Sequence, residues 1–209
     1  MKSILYILTL TLIFCSCNKN EISKMAFTTI NISQKSDQFK FNKGSYWIFR
    51  NDSTGVEDSI TIEEVSEGLI ITNPAQHGSG GIQNEFFSMT LLNHSTGEKY
   101  QDYLMENYIR RSSSGPPFTW PIIFSTNAVV GQKSGNIEIV SKSPSMILNN
   151  ITFNNTWTVR IIAPVGTDSF FAEGTILIFS ENIGLIKIVT DTGSEPIESS
   201  GVVRYKIVY

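Results

Sequence analysis

An all-β fold, antiparallel and built as a sandwich or as a full or half barrel, is what this sequence predicts, and three observations predict it. Short apolar or β-branched runs recur from Phe39 onward. Clusters of Gly, Asn, Asp and Ser separate them at spacings that suit a meander of hairpins. Sustained helical periods are missing, which leaves nothing to serve as the crossover helices of a β-α-β arrangement. With 209 residues, 41% hydrophobic and 17% charged, the chain has material for one folded domain rather than a disordered chain or an array.

The elements follow in order. Residues 46–50 run through Asn51-Asp52-Ser53-Thr54-Gly55 into the alternating stretch 59–63, a hairpin signature. Gly68 precedes the run 69–72. Residues 85–92 lead through Asn93-His94-Ser95-Thr96-Gly97, a near repeat of the first turn, into 100–109. There Tyr100, Tyr103, Leu104 and Tyr108 also fit a 3.6-residue period. The turn before them and the poor N-cap favour strand, with helix left open. Further runs span 122–124, 137–140, 146–153, 157–162, 175–179, 185–190 and 202–208. Trp47 and Trp157 lie inside such runs and are expected in the core, and Gly184 is expected at a bulge or sharp bend beside Leu185, Ile186 and Ile188.

The N-terminus carries an address. Lys2 precedes residues 4–14, an apolar run without charge, Gly or Pro. A bilayer span needs roughly 20 residues, so this run suits the core of a secretory signal peptide instead. Phe14-Cys15-Ser16-Cys17 resembles the lipobox of bacterial lipoproteins, in which a small residue precedes the Cys that is acylated. Ser16 is small and Phe14 is not, so Cys17 is the expected lipidation site. The pattern departs from the commonest form at Phe14 and Cys15. The resemblance implies a signal peptide over 1–16, a mature chain without a free thiol, and a membrane partner reached through the acyl chains on Cys17. More than one chain suffices for stable anchoring.

In the lipoproteins that this junction resembles, Asp after the lipidated Cys favours inner-membrane retention; with Asn18 there, the resemblance implies the outer membrane, with the periplasmic and surface faces both open. The Ser16-Cys17-Asn18-Lys19 junction is similar to lipoproteins of the Bacteroidota. Residues 17–38 are polar and are expected to be a flexible tether, reaching roughly 65 Å if extended and about 25 Å as a coil. Within it, 26–32 has the composition of an edge strand. The β domain is then 39–209.

A net charge of -3 argues against nucleic acid, because phosphate binding needs a basic face. Two Cys and two His are too few for a zinc ribbon. Asp191-Thr192-Gly193-Ser194 matches the aspartic-protease signature, yet no second such motif is present to share the proton, and a turn explains it. His77-Gly78-Ser79-Gly80-Gly81 resembles an esterase oxyanion loop, but no Gly-x-Ser-x-Gly elbow accompanies it. Glu63 and Glu64 are adjacent in a strand and should face opposite ways. No phosphate-cradling glycine motif occurs. No catalytic residue, metal or cofactor is expected.

Aromatic side chains are what remain. Tyr103, Tyr108, Phe118 and Trp120 surround Gly115-Pro116-Pro117 and are the candidate ligand-binding residues, suited to stacking on sugars or lining an apolar mouth. The stretch Phe179-Ser180-Glu181-Asn182-Ile183-Gly184-Leu185-Ile186-Lys187, together with Tyr46-Trp47-Ile48, resembles lipoproteins of the Bacteroidota. That resemblance implies a β-rich envelope protein related to LolA/LolB-like half-barrels, which hold apolar ligands. The leading expectation is therefore a non-enzymatic outer-membrane lipoprotein that binds an apolar ligand or has a structural role. A surface module for glycans or an envelope protein, using the aromatics near Trp120, comes second, and a hydrolase third.

Overall fold

The computed structural model describes residues 27–74, 80–112, 121–127, 129–163, 171–190 and 198–209. Over these the regular secondary structure is almost entirely strand, and the sheet is antiparallel and curls into a nearly closed barrel. The strands are β1 (Phe27–Ile30), β2 (Tyr46–Asn51), β3 (Glu57–Asn73), β4 (Gly81–Asn93), β5 (Lys99–Met105), β6 (Tyr108–Ser112) and β7 (Ile122–Ser125). They continue with β8 (Lys133–Ser134), β9 (Ile137–Leu148), β10 (Ile151–Ile161), β11 (Ile176–Ser180), β12 (Gly184–Thr190) and β13 (Glu198–Lys206). All thirteen belong to one sheet, in the order β7-β6-β5-β4-β3-β2-β13-β12-β11-β10-β9-β8, with β1 off this path and parallel to β4.

The repeated turn sequence produces a repeated geometry. The side-chain oxygen of Asn51 accepts from the N–H groups of Ser53 and Thr54, each at 2.9 Å, and that of Asn93 accepts from Ser95 and Thr96 at the same distances. Gly55 and Gly97 close the two turns at φ +72°, a conformation that costs glycine little. The 100–109 segment is strand, as favoured, but holds two: a turn at Glu106-Asn107 separates β5 from β6, with Glu106 at φ +50°. The run 146–153 likewise splits at Asn149-Asn150, whose φ values of +50° and +64° define the hairpin turn for which Asn is well suited. Gly184 opens β12 at φ +89°, with Leu185 and Ile186 buried behind it.

Residues 27–38 of the expected tether lie against the barrel, and 17–26 fall outside the described residues. Residues 27–30 pair with β4 from Phe27↔Gly81 to Ile30↔Asn84, so the edge-strand composition prevails there. The following residues cross one end of the barrel, where Ser33 N–H donates to Glu106 O (2.9 Å) and Ser36 Oγ lies 3.0 Å from Thr126 Oγ1. After a single turn of 3-10 helix, Asp37–Phe39, Asn42 N–H reaches Val208 O (2.8 Å). Polar composition suggests flexibility, but here it supplies the hydrogen bonds that hold the segment down.

Closure is made by side chains. Asn136, between β8 and β9, accepts from Ile122 N–H through its side-chain oxygen and from Ile162 N–H through its backbone oxygen, both at 2.9 Å. Inside, Phe124 of β7 stacks on Phe179 of β11 at 4.6 Å and meets Trp157 of β10 at 5.4 Å. Phe39 comes in from the crossing segment, 5.0 Å from Phe124 and 6.3 Å from Trp157. Beside it Phe41 packs on Trp47 at 5.5 Å, and Trp47 Nε1 donates to Ile183 O (2.7 Å). Trp47 thus occupies the core as expected, while Trp157 is half-buried and packs against its edge.

The tip of the β9–β10 hairpin folds onto β13. Asn149 Nδ2 donates to Val202 O (3.1 Å), and a Cβ at Gly201 would lie 3.0 Å from Leu148 Cδ2. Two predictions follow from the seam and this contact. Asn136→Ala strands the buried Ile122 N–H and should lower unfolding free energy by about 1–3 kcal/mol in denaturant titrations. Gly201→Val should cost about as much by overpacking, again roughly 1–3 kcal/mol.

Candidate functional site

Two charged residues sit in the apolar interior. Alternation along β5 places Asp102 on the same face as Tyr100 and Leu104, and alternation along β6 places Arg111 with Ile109. Asp102 and Arg111 are directly paired across the ladder. Both are buried, and the guanidinium grips the carboxylate with two hydrogen bonds, Nε to Oδ1 at 2.6 Å and Nη2 to Oδ2 at 2.7 Å. The guanidinium also lies 4.5 Å from the Tyr100 ring centroid and 5.7 Å from that of Phe171. Burial opposes the charge on Arg111, but Asp102 and Tyr100 beside it outweigh burial and hold its pKa above the ordinary value.

Burial pushes the Tyr100 hydroxyl up to about 12, with Arg111 acting against the rise and Asp102 and Asp58 adding to it. The void these residues share with Phe41, Phe49 and Met89 has a volume of about 40 Å³. That admits a few water-sized molecules at most, whereas pockets for drug-sized ligands run to roughly 300–1,000 Å³.

A roomier cleft, about 370 Å³, opens at the end of the barrel crossed by residues 31–45. Lys35 and Gln38 of the crossing segment form one side, Lys142 and Ser143 of β9 another, and Phe39 and Trp157 are among its apolar walls. Lys142 Nζ lies 5.6 Å from the Trp157 ring centroid. Trp157 Nε1 is buried and, among the described residues, has no hydrogen-bond partner. Glu181, also in the cleft, is engaged through its carboxylate by the Asn155 side-chain amide.

Of the four candidate aromatics, Tyr103 and Tyr108 are in place on one face of the β5–β6 hairpin, since Tyr103 pairs with Arg110 and Tyr108 with Met105. Tyr103 stacks on Phe86 at 5.0 Å and 22°, and the Arg110 guanidinium is 6.0 Å from the Tyr108 ring centroid. Burial raises the Tyr103 pKa and lowers that of Arg110. Phe118, Trp120 and the Gly115-Pro116-Pro117 loop lie outside the described residues, as do Cys17, His77 and the Asp191 to Ser194 motif. His94 sits in its exposed turn with Nε2 2.9 Å from Thr61 Oγ1. Glu63 pairs with Lys99 at 2.7 Å, and a bulge falls between Ile62 and Glu64.

The interior ion pair and the cleft are absent from the expectations drawn from sequence. A signal for the first does exist: Asp102 and Arg111 each fall on the apolar phase of an alternating strand. For the second there is none that joins all its parts: Lys142 and Trp157 are cross-strand partners in the β9–β10 hairpin, but Lys35 meets them only through the fold.

No family model matches the chain, and no curated protein matches it. Among solved structures it is similar to a putative lipoprotein from Parabacteroides distasonis ATCC 8503, at 13% identity and a TM-score of 0.40, covering 81% of this chain and 98% of that one. It is also similar to a putative exported protein with a YmcC-like fold from Bacteroides fragilis NCTC 9343, at 10% identity and a TM-score of 0.39, covering 79% and 98%. Likenesses at this level carry no function across.

The buried pair and Tyr100 make two predictions. Asp102→Ala leaves an uncompensated guanidinium and should cost about 3–5 kcal/mol, while Asp102→Leu with Arg111→Met should recover most of that loss in the same denaturant titration. Folding favours the neutral phenol of Tyr100, so its contribution is complete below pH 10 and is lost as pH rises toward 12. Wild type should therefore lose about 2 kcal/mol more than Tyr100→Phe between those pH values, measured by urea unfolding at each pH.

Proposed function

We propose that this chain is a lipid-anchored protein of the cell envelope, held at the outer membrane through Cys17, and that its barrel is a non-enzymatic binding module working at its tether end. The Ser16-Cys17 junction behind an apolar signal core supports the anchor. One observation carries the binding reading: the interior is filled by the chain itself, with Phe39 and Phe41 inserted from the crossing segment and a void of about 40 Å³ left over. An acyl chain has no room there, so the apolar interior acts as core and the cleft of about 370 Å³ at the mouth is where a ligand fits. In the order of the chain Cys17 precedes the crossing segment, which supports a cleft that faces the membrane.

Intact-mass measurement on the full chain expressed in a lipoprotein-processing bacterium should show an N-terminus at Cys17 carrying acyl chains. An unmodified N-terminus, or cleavage elsewhere, would overturn the anchor. Nile red added to the same purified protein should stay dim, as the filled interior excludes it. Bright, saturable dye uptake by the wild type would instead return the interior to the role of an apolar ligand site.

A further inference from the structure

We infer that the cleft at the tether end binds a sugar-sized anion, a saccharide bearing a carboxylate or phosphate; this rests on the reading that the mouth, not the interior, receives the ligand. The unsatisfied groups in the cleft are donors. Among the described residues neither Lys35 nor Lys142 has a carboxylate within ion-pair distance, and Lys142 has only the Trp157 ring beneath it. Trp157 Nε1 adds a buried donor without a partner, a state that costs about 1–3 kcal/mol unless something accepts from it. The carboxylate present, Glu181, is already engaged by Asn155. Two exposed cations facing each other across a cleft, with a spare N–H among its lining residues, select an acceptor with negative charge.

The remaining walls select a ring. Phe39, Trp157 and Pro144 supply apolar surface, while Gln38, Asn155 and Thr156 supply amides and a hydroxyl. That mixture suits a saccharide, which presents an apolar face and a polar edge, better than a bare ion or an alkyl chain. The volume of about 370 Å³ is within the range of ligand pockets. Lys142 is exposed and on a flexible stem, so it can swing off the indole toward a ligand that enters.

Calorimetric titration of the full-length protein with glucuronate, glucose phosphate, glucose and inorganic phosphate tests this. Both charged sugars should bind, more weakly as salt is raised, while glucose and inorganic phosphate should bind far less. Lys35→Gln with Lys142→Gln should weaken the charged sugars roughly tenfold or more. Both lysines are exposed, so the variant should retain the wild-type melting temperature. Equal binding of glucose, equal binding of inorganic phosphate, no binding of either charged sugar, or full affinity in the double variant would each overturn the assignment. Nile red on the same sample separates the two readings: exclusion of dye without sugar binding sinks the cleft assignment alone, and dye uptake sinks the filled-interior reading beneath it.

Discussion

Four aromatic side chains hold this barrel shut. Phe124 comes from one extreme of the strand order, Trp157 and Phe179 from near the other, and Phe39 from the segment that crosses the end. A sheet of thirteen strands that curls round must either fill its centre or enclose space. Here the rings meet edge to face and in offset stacks, at separations where aromatic pairs gain beyond their burial. Because β7 and β10 to β11 are joined mainly through these rings and the Asn136 bridge, the closure is a packing event more than a ladder of backbone bonds.

The same cluster ties the path of the N-terminal segment to the barrel. Fully burying a Phe contributes about 1.5–3 kcal/mol, so Phe39 and Phe41 together offset the ordering of only a few residues, and the rest of the crossing segment is held by its other contacts with the rim. Hydrogen bonds from Ser33, Ser36 and Asn42 to the rim fix where the segment lies. Lys35 and Gln38 are thereby brought opposite Lys142 and Trp157, and the cleft exists because the plug does. The Asp102–Arg111 pair, further inside, is a poor source of stability by itself, since desolvation offsets most of the attraction. Its two-point geometry instead fixes the register of β5 against β6 in an otherwise apolar wall.

Much of the fold is legible in the sequence because period-two alternation and turn chemistry are local. The two Asn-x-Ser-Thr-Gly turns are the clearest case, with one sequence giving one geometry twice. Where expectations fall short, a local signal is outweighed or overlooked. Gly68 reads as punctuation, yet β3 runs straight through it because the Phe86 ring packs on the space a side chain would fill, 3.3 Å from an added Cβ. Asn149-Asn150 and Glu106-Asn107 are turns inside what reads as continuous runs, the first marked by two residues tolerant of positive φ. Residues 27–38 read as tether because polar chains are usually solvated, and only the barrel rim shows what their hydroxyls and amides bond to. The cleft is not legible as a whole, since Lys35 is more than a hundred residues in sequence from Lys142 and Trp157 and is brought to them by tertiary contact.

Hydrogen–deuterium exchange of the full-length protein tests most directly whether the crossing segment is an integral stopper of the barrel. The amides of Phe39, Asn42 and Ser45, bonded to Ser36, Val208 and Asn42 oxygens, should exchange at the slow, global-unfolding rate of β4 and β10. Rapid exchange at these three amides while β4 and β10 stay protected would contradict that, and would mean a plug that detaches from a barrel able to stand without it.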